Sequence, residues 1–198
     1  MSKSAATTAA LHPVLAERWS PRGFAADHEL ADEAVVALLE AARWSASSGN
    51  SQPWRFLVGR RGDDVHAALF DSLAEGNKLW AGSASALLLV AAQVIDDRGR
   101  SRSHAAYDTG AAVAQLTAQG TAQGLAFHQM GGFDADAVRA AFDLGERLQP
   151  LVVIAVGAAD PAAPLTEELA AREQAERSRK PLEELLLPSD QAALRRSA

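Results

Sequence analysis

Apolar residues recur along this chain with two spacings. Val35, Leu38, Leu39 and Ala42 fall at i, i+3, i+4 and i+7, one face of a helix. Asp32 is placed to cap that helix, Glu33 suits its first turn, and Arg43 complements the dipole at its end. Pro53 disfavours helical backbone at Gln52, so Trp54-Arg55-Phe56-Leu57-Val58 reads as a strand after a break. Val65, Leu69 and Leu73 predict a short helix. Ala86 to Ala92 is an unbroken apolar run, which predicts a strand buried on both faces. Residues 104–124 are alanine-rich and predict a long, closely packed helix. Gly110 and Gly120 each cost about 1 kcal/mol against alanine in such a helix, so close approach of another backbone is a reason for both. Leu125, Phe127 and Gln129 alternate as in a strand, and Asp134 can cap a helix carrying Val138, Ala141 and Phe142. Leu151 to Gly157 predicts a second fully apolar strand; a proline-containing linker and a charged helix ending near Gln174 follow. This order of helices and strands, taken alone, suggests an α/β sheet.

The 198 residues suit one domain that can bury a core, here over 13–187, with a flexible N-terminus over 1–12 and a tail over 188–198. The absence of cysteine excludes disulfides, thiolate catalysis and cysteine-ligated metals. A formal charge of −6 argues against nucleic-acid binding, including at the arginine-rich loop over 96–103. No apolar run approaches the ~20 residues of a membrane span, and no signal peptide is legible. The expectation is a cytoplasmic protein with no membrane partner. The five histidines form no His-x-x-x-His pair, so no metal site is expected. Neither a Gly-x-Gly-x-x-Gly after a strand, nor a phosphate-binding Gly-x-x-x-x-Gly-Lys loop, nor a Gly-x-Ser-x-Gly elbow occurs.

Candidate chemistry gathers in four stretches. Arg43-Trp-Ser-Ala-Ser-Ser-Gly-Asn-Ser-Gln-Pro-Trp-Arg-Phe56 is rich in hydrogen-bonding groups and almost devoid of acid/base groups. It suits holding a polar planar ligand, or is simply a polar turn. Arg18 and Arg22, with Trp19 and Ser20 between them, offer guanidinium forks to an anion or are solvated beside Pro21. Gly131-Gly132 lets the backbone approach a neighbour closely or take positive φ. Arg177 and Arg179 project to one side of an extended chain. His104 and Asp108, at i and i+4, read as a capping or surface pair, with a catalytic role also open. Trp80 is as readily core as site, and Asn77 lies near it.

These stretches resemble, in order, the signatures of the nitroreductase-like FMN-dependent oxidoreductases. The matches are Arg18-Trp-Ser-Pro-Arg-Gly-Phe24, Ser47-Ser-Gly-Asn-Ser-Gln-Pro-Trp-Arg-Phe56, Gly124-Leu…Gly131-Gly-Phe-Asp134 and Arg177-Ser-Arg-Lys-Pro-Leu-Glu-Glu184, with Tyr107-Asp-Thr-Gly110 opening the long helix. The family's usual proline is replaced by Ala46. The resemblance implies an α+β fold, with a mixed, mostly antiparallel sheet flanked by helices, in an intertwined homodimer with FMN sites at the interface. It implies phosphate contacts from Arg18, Arg179 and Arg177, and cofactor contacts from Trp19, Ser20 and Arg22. Ser47, Ser48, Asn50 and Gln52 would reach the partner's FMN, and the Gly131 and Gly132 backbone would lie against the ring. No side chain is assigned as catalytic, because FMN carries the chemistry. The implied activity is ping-pong hydride transfer from NADH or NADPH through FMN to an acceptor such as a nitroaromatic, quinone or enone. A specialised flavin enzyme of the family, doing dehalogenation or oxygen-dependent chemistry, and a non-enzymatic FMN-binding protein are the alternatives.

Overall fold

Four strands form one antiparallel sheet in the order β1-β2-β4-β3: β1 is Trp54–Arg60, β2 Ala86–Gln93, β3 Ala126–Met130 and β4 Leu148–Gly157. The computed structural model describes residues 3–187, so the tail expected over 188–198 lies outside the described residues. The strand order that suggested an α/β arrangement resolves instead into antiparallel pairing throughout these four strands. Every position of β2 is buried, as its unbroken apolar run requires. Leu87 and Leu89 face one core with Val153 and Ala155 of β4, while Ala86, Leu88 and Val90 face a second with Ile154 and Val156. Pairing shifts after Val90↔Val152 to Ala91↔Pro150, leaving Leu151 as a bulge. Pro150, which has no N–H for the ladder, sits at that irregularity.

Helices cover both faces. Helix α2 (Asp32–Arg43) contributes Leu38 and Ala42 to one core, and α5 (Ala105–Ala122) contributes Ala112, Val113 and Leu116. The other face carries α3 (Asp64–Asp71), α4 (Glu75–Ala81), α6 (Ala135–Ala141) and α7 (Glu167–Gln174), through Leu69, Trp80, Val138 and Leu169. A short α1 (Pro13–Glu17) precedes the sheet and α8 (Leu182–Leu185) ends the described chain. Asp134 caps α6 as expected, accepting from the Asp136 and Ala137 N–H groups at 2.9 and 3.0 Å. Asp32 does not cap α2. It is the first helical residue, Ala31 takes the cap position, and the Asp32 carboxylate is drawn instead to Arg60 on β1.

Of the two glycines in α5, only Gly120 has a packing reason within the chain. A Cβ there would run into the Phe127 ring and within 2.7 Å of Leu38 Cδ2, so the glycine lets α5 close on β3 and α2. A Cβ at Gly110 would meet nothing within 4 Å, on a face that also exposes Tyr107. Gly120→Ala is expected to lower stability by about 1–3 kcal/mol through overpacking. Chemical denaturation checks this, and a loss below about 0.5 kcal/mol would show that Phe127 and Leu38 yield freely, as surface sites do.

Candidate cofactor site

The strap between α1 and Phe24 presents two sides. On one, Arg18 Nη1 donates to Ser20 Oγ at 3.3 Å. On the other, Trp19, Pro21 and Gly23 line a cavity of about 650 Å³ shared with Lys3, Asp160, Glu173 and Arg177. Arg177 Nη1 donates to the Ala16 carbonyl at 2.8 Å and to that of Lys3, which fixes it beside the start of the strap. Burial, then the positive charges of Arg177 and Arg179, lower the pKa of the Arg18 guanidinium. None of these three arginines makes a salt bridge to a carboxylate among the described residues. Converging guanidinium groups of like charge repel one another, and an anion with several acceptor oxygens relieves that repulsion while matching their planar forks. The expected extended disposition of Arg177 and Arg179 thus becomes a shared field at Arg18. Trp19 lines the same cavity as Arg177, with the Lys3 ammonium 4.7 Å from its ring centroid.

The strap is pinned to the sheet. Phe24 bridges to Ala159 and stacks on Trp80 at 6.2 Å between centroids, and Trp80 lies 4.4 Å from the His128 ring. His128 Nδ1 sits 2.9 Å from the Pro21 carbonyl, which can only accept, so Nδ1 carries the proton. Burial lowers the pKa of His128, and the charges of Arg22 and Arg18 push the same way. One strand end further on, Gly131-Gly132 leaves β3. Neither takes positive φ. A Cβ at Gly131 would meet nothing within 4 Å, so its backbone faces open space. Gly132 is held from behind, its carbonyl accepting from Asn77 Nδ2 and from the Ala74 N–H, both at 3.0 Å. Trp80 is therefore core, and Asn77 fixes the glycine pair.

The serine-rich loop is built separately. It makes a 3-10 turn over Ser48–Asn50, and Gly49, Asn50 and Gln52 all have left-handed φ, at 57°, 53° and 43°. For Asn50 and Gln52 this strain costs about 1–2 kcal/mol each. Ser47 Oγ accepts from the Gln52 N–H at 3.0 Å, and Gln52 Nε2 donates to Asn50 Oδ1 at 3.1 Å. The Ser48 N–H donates to Asp108 Oδ2 at 3.0 Å. Asp108 is thus a buried anchor of this loop and not the surface partner of His104, whose Nδ1 lies 3.1 Å from Ser103 Oγ. The loop and α5 border a polar hollow of about 470 Å³ shared with Arg102 and His104. Among the described residues no hydrogen bond links this loop to the arginine strap, and the cavity beside the strap and the hollow beside the loop share no lining residue.

The sequence model of the Nitroreductase family matches residues 15–158. The chain belongs to the nitroreductase family. It is similar to a crystal structure of an oxidoreductase containing FMN, with a TM-score of 0.87 and 30% identity, over 95% of this chain and 96% of that one. It is also similar to a candidate nitroreductase of Desulfovibrio desulfuricans solved in complex with FMN, with a TM-score of 0.71 and 29% identity, over 90% and 97% of the two chains. An uncharacterised 15.4 kDa protein of Mycolicibacterium smegmatis is 39% identical over 139 residues, 66% of this chain and 92% of its own length. Among the described residues no helix is long and apolar enough to cross a membrane, and no cluster of three or more His, Cys, Asp or Glu could hold a metal.

The candidate residues therefore fall into two groups. Arg18, Ser20, Arg22, Arg177 and Arg179 gather around the strap, which His128 ties to the strand leading to Gly131-Gly132. Ser47, Ser48, Asn50 and Gln52 form the second group. Sequence reasoning missed the supports: Asp108 beneath the loop, and Glu173 beneath the strap. Asp108 stood within Tyr107-Asp-Thr-Gly110 and invited attention only as the partner of His104, in a capping, surface or catalytic pair. Glu173 lies in a charged helix of ordinary surface composition, 151 positions from the strap N–H it accepts.

Asp108→Ala would leave the Ser48 N–H without its charged acceptor and is expected to destabilise by about 1–3 kcal/mol. Faster amide exchange over residues 47–52 would locate the effect, and unchanged exchange there would remove Asp108 as the anchor. Burial also lowers the pKa of His66, so two imidazoles have folded values below the ordinary ~6.5. The unfolded chain then binds more protons in the window just below that value. Stability is fully present above about pH 6.5 and falls as the pH drops below it through the lowered folded values. Thermal melts from pH 7.5 to 5.5 should show this loss, reduced in His128→Gln.

Proposed function

We propose that this protein binds FMN and passes reducing equivalents from NADH or NADPH to an oxidised small-molecule acceptor, such as a nitroaromatic, quinone or enone, in a ping-pong cycle. The observation that carries this reading is that Arg18, within the electrostatic reach of Arg177 and Arg179, has no carboxylate partner among the described residues, beside a strap tied to a glycine pair whose backbone faces open space. That combination suits a phosphate-bearing planar ligand. The FMN-containing structures at 30% and 29% identity support the choice of FMN.

FMN, when bound, supplies the two-electron chemistry; the protein supplies position and electrostatics. Arg18, Arg177 and Arg179 hold the phosphate, and Ser20 orients Arg18. Arg22 supplies positive charge that favours the reduced cofactor. Gly131-Gly132 leaves room for the ring, since any side chain at Gly131 would fill the space it occupies.

The serine-rich loop belongs, in this reading, to the cofactor site of a second copy. Its separation from the arginine strap within one chain supports a homodimer whose interface completes both sites. Exposed Val36, Trp44 and Tyr107 give that interface apolar surface on the two helices that flank the loop. A nicotinamide reductant places the reaction in the cytoplasm.

Three measurements test the proposal. Purified protein should be yellow, or turn yellow with added FMN, and should bleach without oxygen on addition of NADH or NADPH. A yellow protein that resists both nucleotides would instead be a binding protein. Arg179→Ala should weaken FMN binding by about 10–100-fold, the loss of one charge-assisted hydrogen bond; unchanged affinity would remove Arg179 from the phosphate site. Arg22→Ala should lower the flavin potential while FMN stays bound, and an unchanged potential would refute its tuning role.

A further inference from the structure

On its α7 side, the strap that carries Arg18, Ser20 and Arg22 is held by a single carboxylate. Glu173, in the last turn of α7, accepts from the Arg22 N–H at 3.1 Å on each oxygen, and Oε1 lies 3.5 Å from the Gly23 N. The same carboxylate lies 3.9 Å from Arg22 Nη1, with both side chains largely buried. Its backbone carbonyl receives the Lys3 ammonium, which also donates to the Ala175 carbonyl at 2.9 Å. Lys3 in turn offers its own carbonyl to Arg177. The N-terminal segment, the strap and the arginine segment therefore meet at the end of α7.

We propose that Glu173 is the positioning residue of the cofactor strap and the counter-charge that limits how much of the Arg22 charge reaches the flavin. This rests on the FMN reading above. Two duties fall to one side chain. As an acceptor it fixes the backbone at Arg22 and Gly23, and hence the direction from which the Arg22 side chain departs. As an anion 3.9 Å from Nη1 it offsets that guanidinium. A neutral acceptor can do the first and not the second, which separates the two experimentally.

The test uses the full chain loaded with FMN, with FMN affinity read by fluorescence quenching and the midpoint potential by dye equilibration. Glu173→Gln keeps an acceptor and removes the charge. It should bind oxidised FMN within about threefold of the parent. Its preference for reduced over oxidised FMN should rise about tenfold, equivalent to about +30 mV for a two-electron couple. Glu173→Asp keeps the charge but withdraws it by one methylene. It should weaken FMN binding at least about fivefold, through the looser strap, with a smaller change in potential. Glu176→Gln removes the same charge from the wall of the same cavity without contacting the strap, and should change neither affinity nor potential as much.

A Glu173→Gln protein that binds FMN at the parent potential overturns the counter-charge role. A Glu173→Asp protein with parent FMN affinity overturns the positioning role, and decides the matter alone if the glutamine variant does not fold. If the parent chain takes up no FMN, the cofactor reading itself has failed and this proposal falls with it.

Discussion

Burial of β2 on both faces is the constraint from which the rest of the molecule follows. A strand with no exposed position needs a helical layer above and another below, and it needs a paired neighbour along each edge. Beta1 and β4 supply the edges. Helices α2 and α5 cover one face, and α3, α4, α6 and α7 the other. Strand β4 pairs with β2 along one edge and carries β3 on the other. That placement brings Gly131-Gly132 out beside α4, where Asn77 and Ala74 can hold the Gly132 carbonyl and where Trp80 and His128 can fasten the strap. The site is a by-product of how the central strand is enclosed.

The two halves of the site are supported differently, and each support fits its task. The serine-rich loop turns into left-handed backbone at three of four residues, Gly49, Asn50 and Gln52, a conformation that glycine and asparagine tolerate and Gln52 disfavours. It holds because Asp108 grips the Ser48 N–H from the first turn of a long, buried helix. Strain of this kind survives only where the surroundings over-determine it. The strap, by contrast, shows no left-handed residue from Arg18 to Phe24. It is held by side chains reaching in from β3 and α7, so its geometry depends on charges and hydrogen bonds far away in sequence.

That difference decides what could be read from the residues alone. The elements whose apolar pattern is local were legible: the run at Ala86–Ala92, the alanine-rich helix, the strand at Phe127 and the Asp134 cap. Strand direction was not, since an apolar run carries no sign of whether its neighbour is parallel, and the antiparallel sheet came only through resemblance. Asp32 misled because an acidic residue at a helix start has the same composition signal as cap or as first-turn residue; only the reach of Arg60 from β1 decides. Gly110 and Gly120 look alike in sequence, yet only one has Phe127 and Leu38 against it. The residues proposed to touch a ligand could be singled out in the sequence because a family's motif marks them. Those that hold such residues in place, Asp108, Glu173 and Asn77, were not, because each acts on a backbone group remote along the chain.

The arginines without a carboxylate partner among the described residues carry the strongest argument for an anion, and composition sharpens it. The chain has 25 Asp and Glu against 19 Lys and Arg, so carboxylates are not scarce. One of them, Glu173, lines the same cavity as Arg177. It is committed to the strap backbone and to Arg22, while Arg177 is satisfied by two carbonyl oxygens that orient it and leave its charge intact. A fold shaped only for stability would pair a buried guanidinium with a carboxylate, because desolvating an uncompensated charge is expensive. Here Arg18 is partly desolvated and faces two further positive charges. The surrounding acids are used to position the cations and are kept from neutralising them at Arg18, Arg177 and Arg179. Of these four arginines, only Arg22 has a carboxylate close by among the described residues, so in the proposed reading phosphate charge and ring electronics fall under separate control.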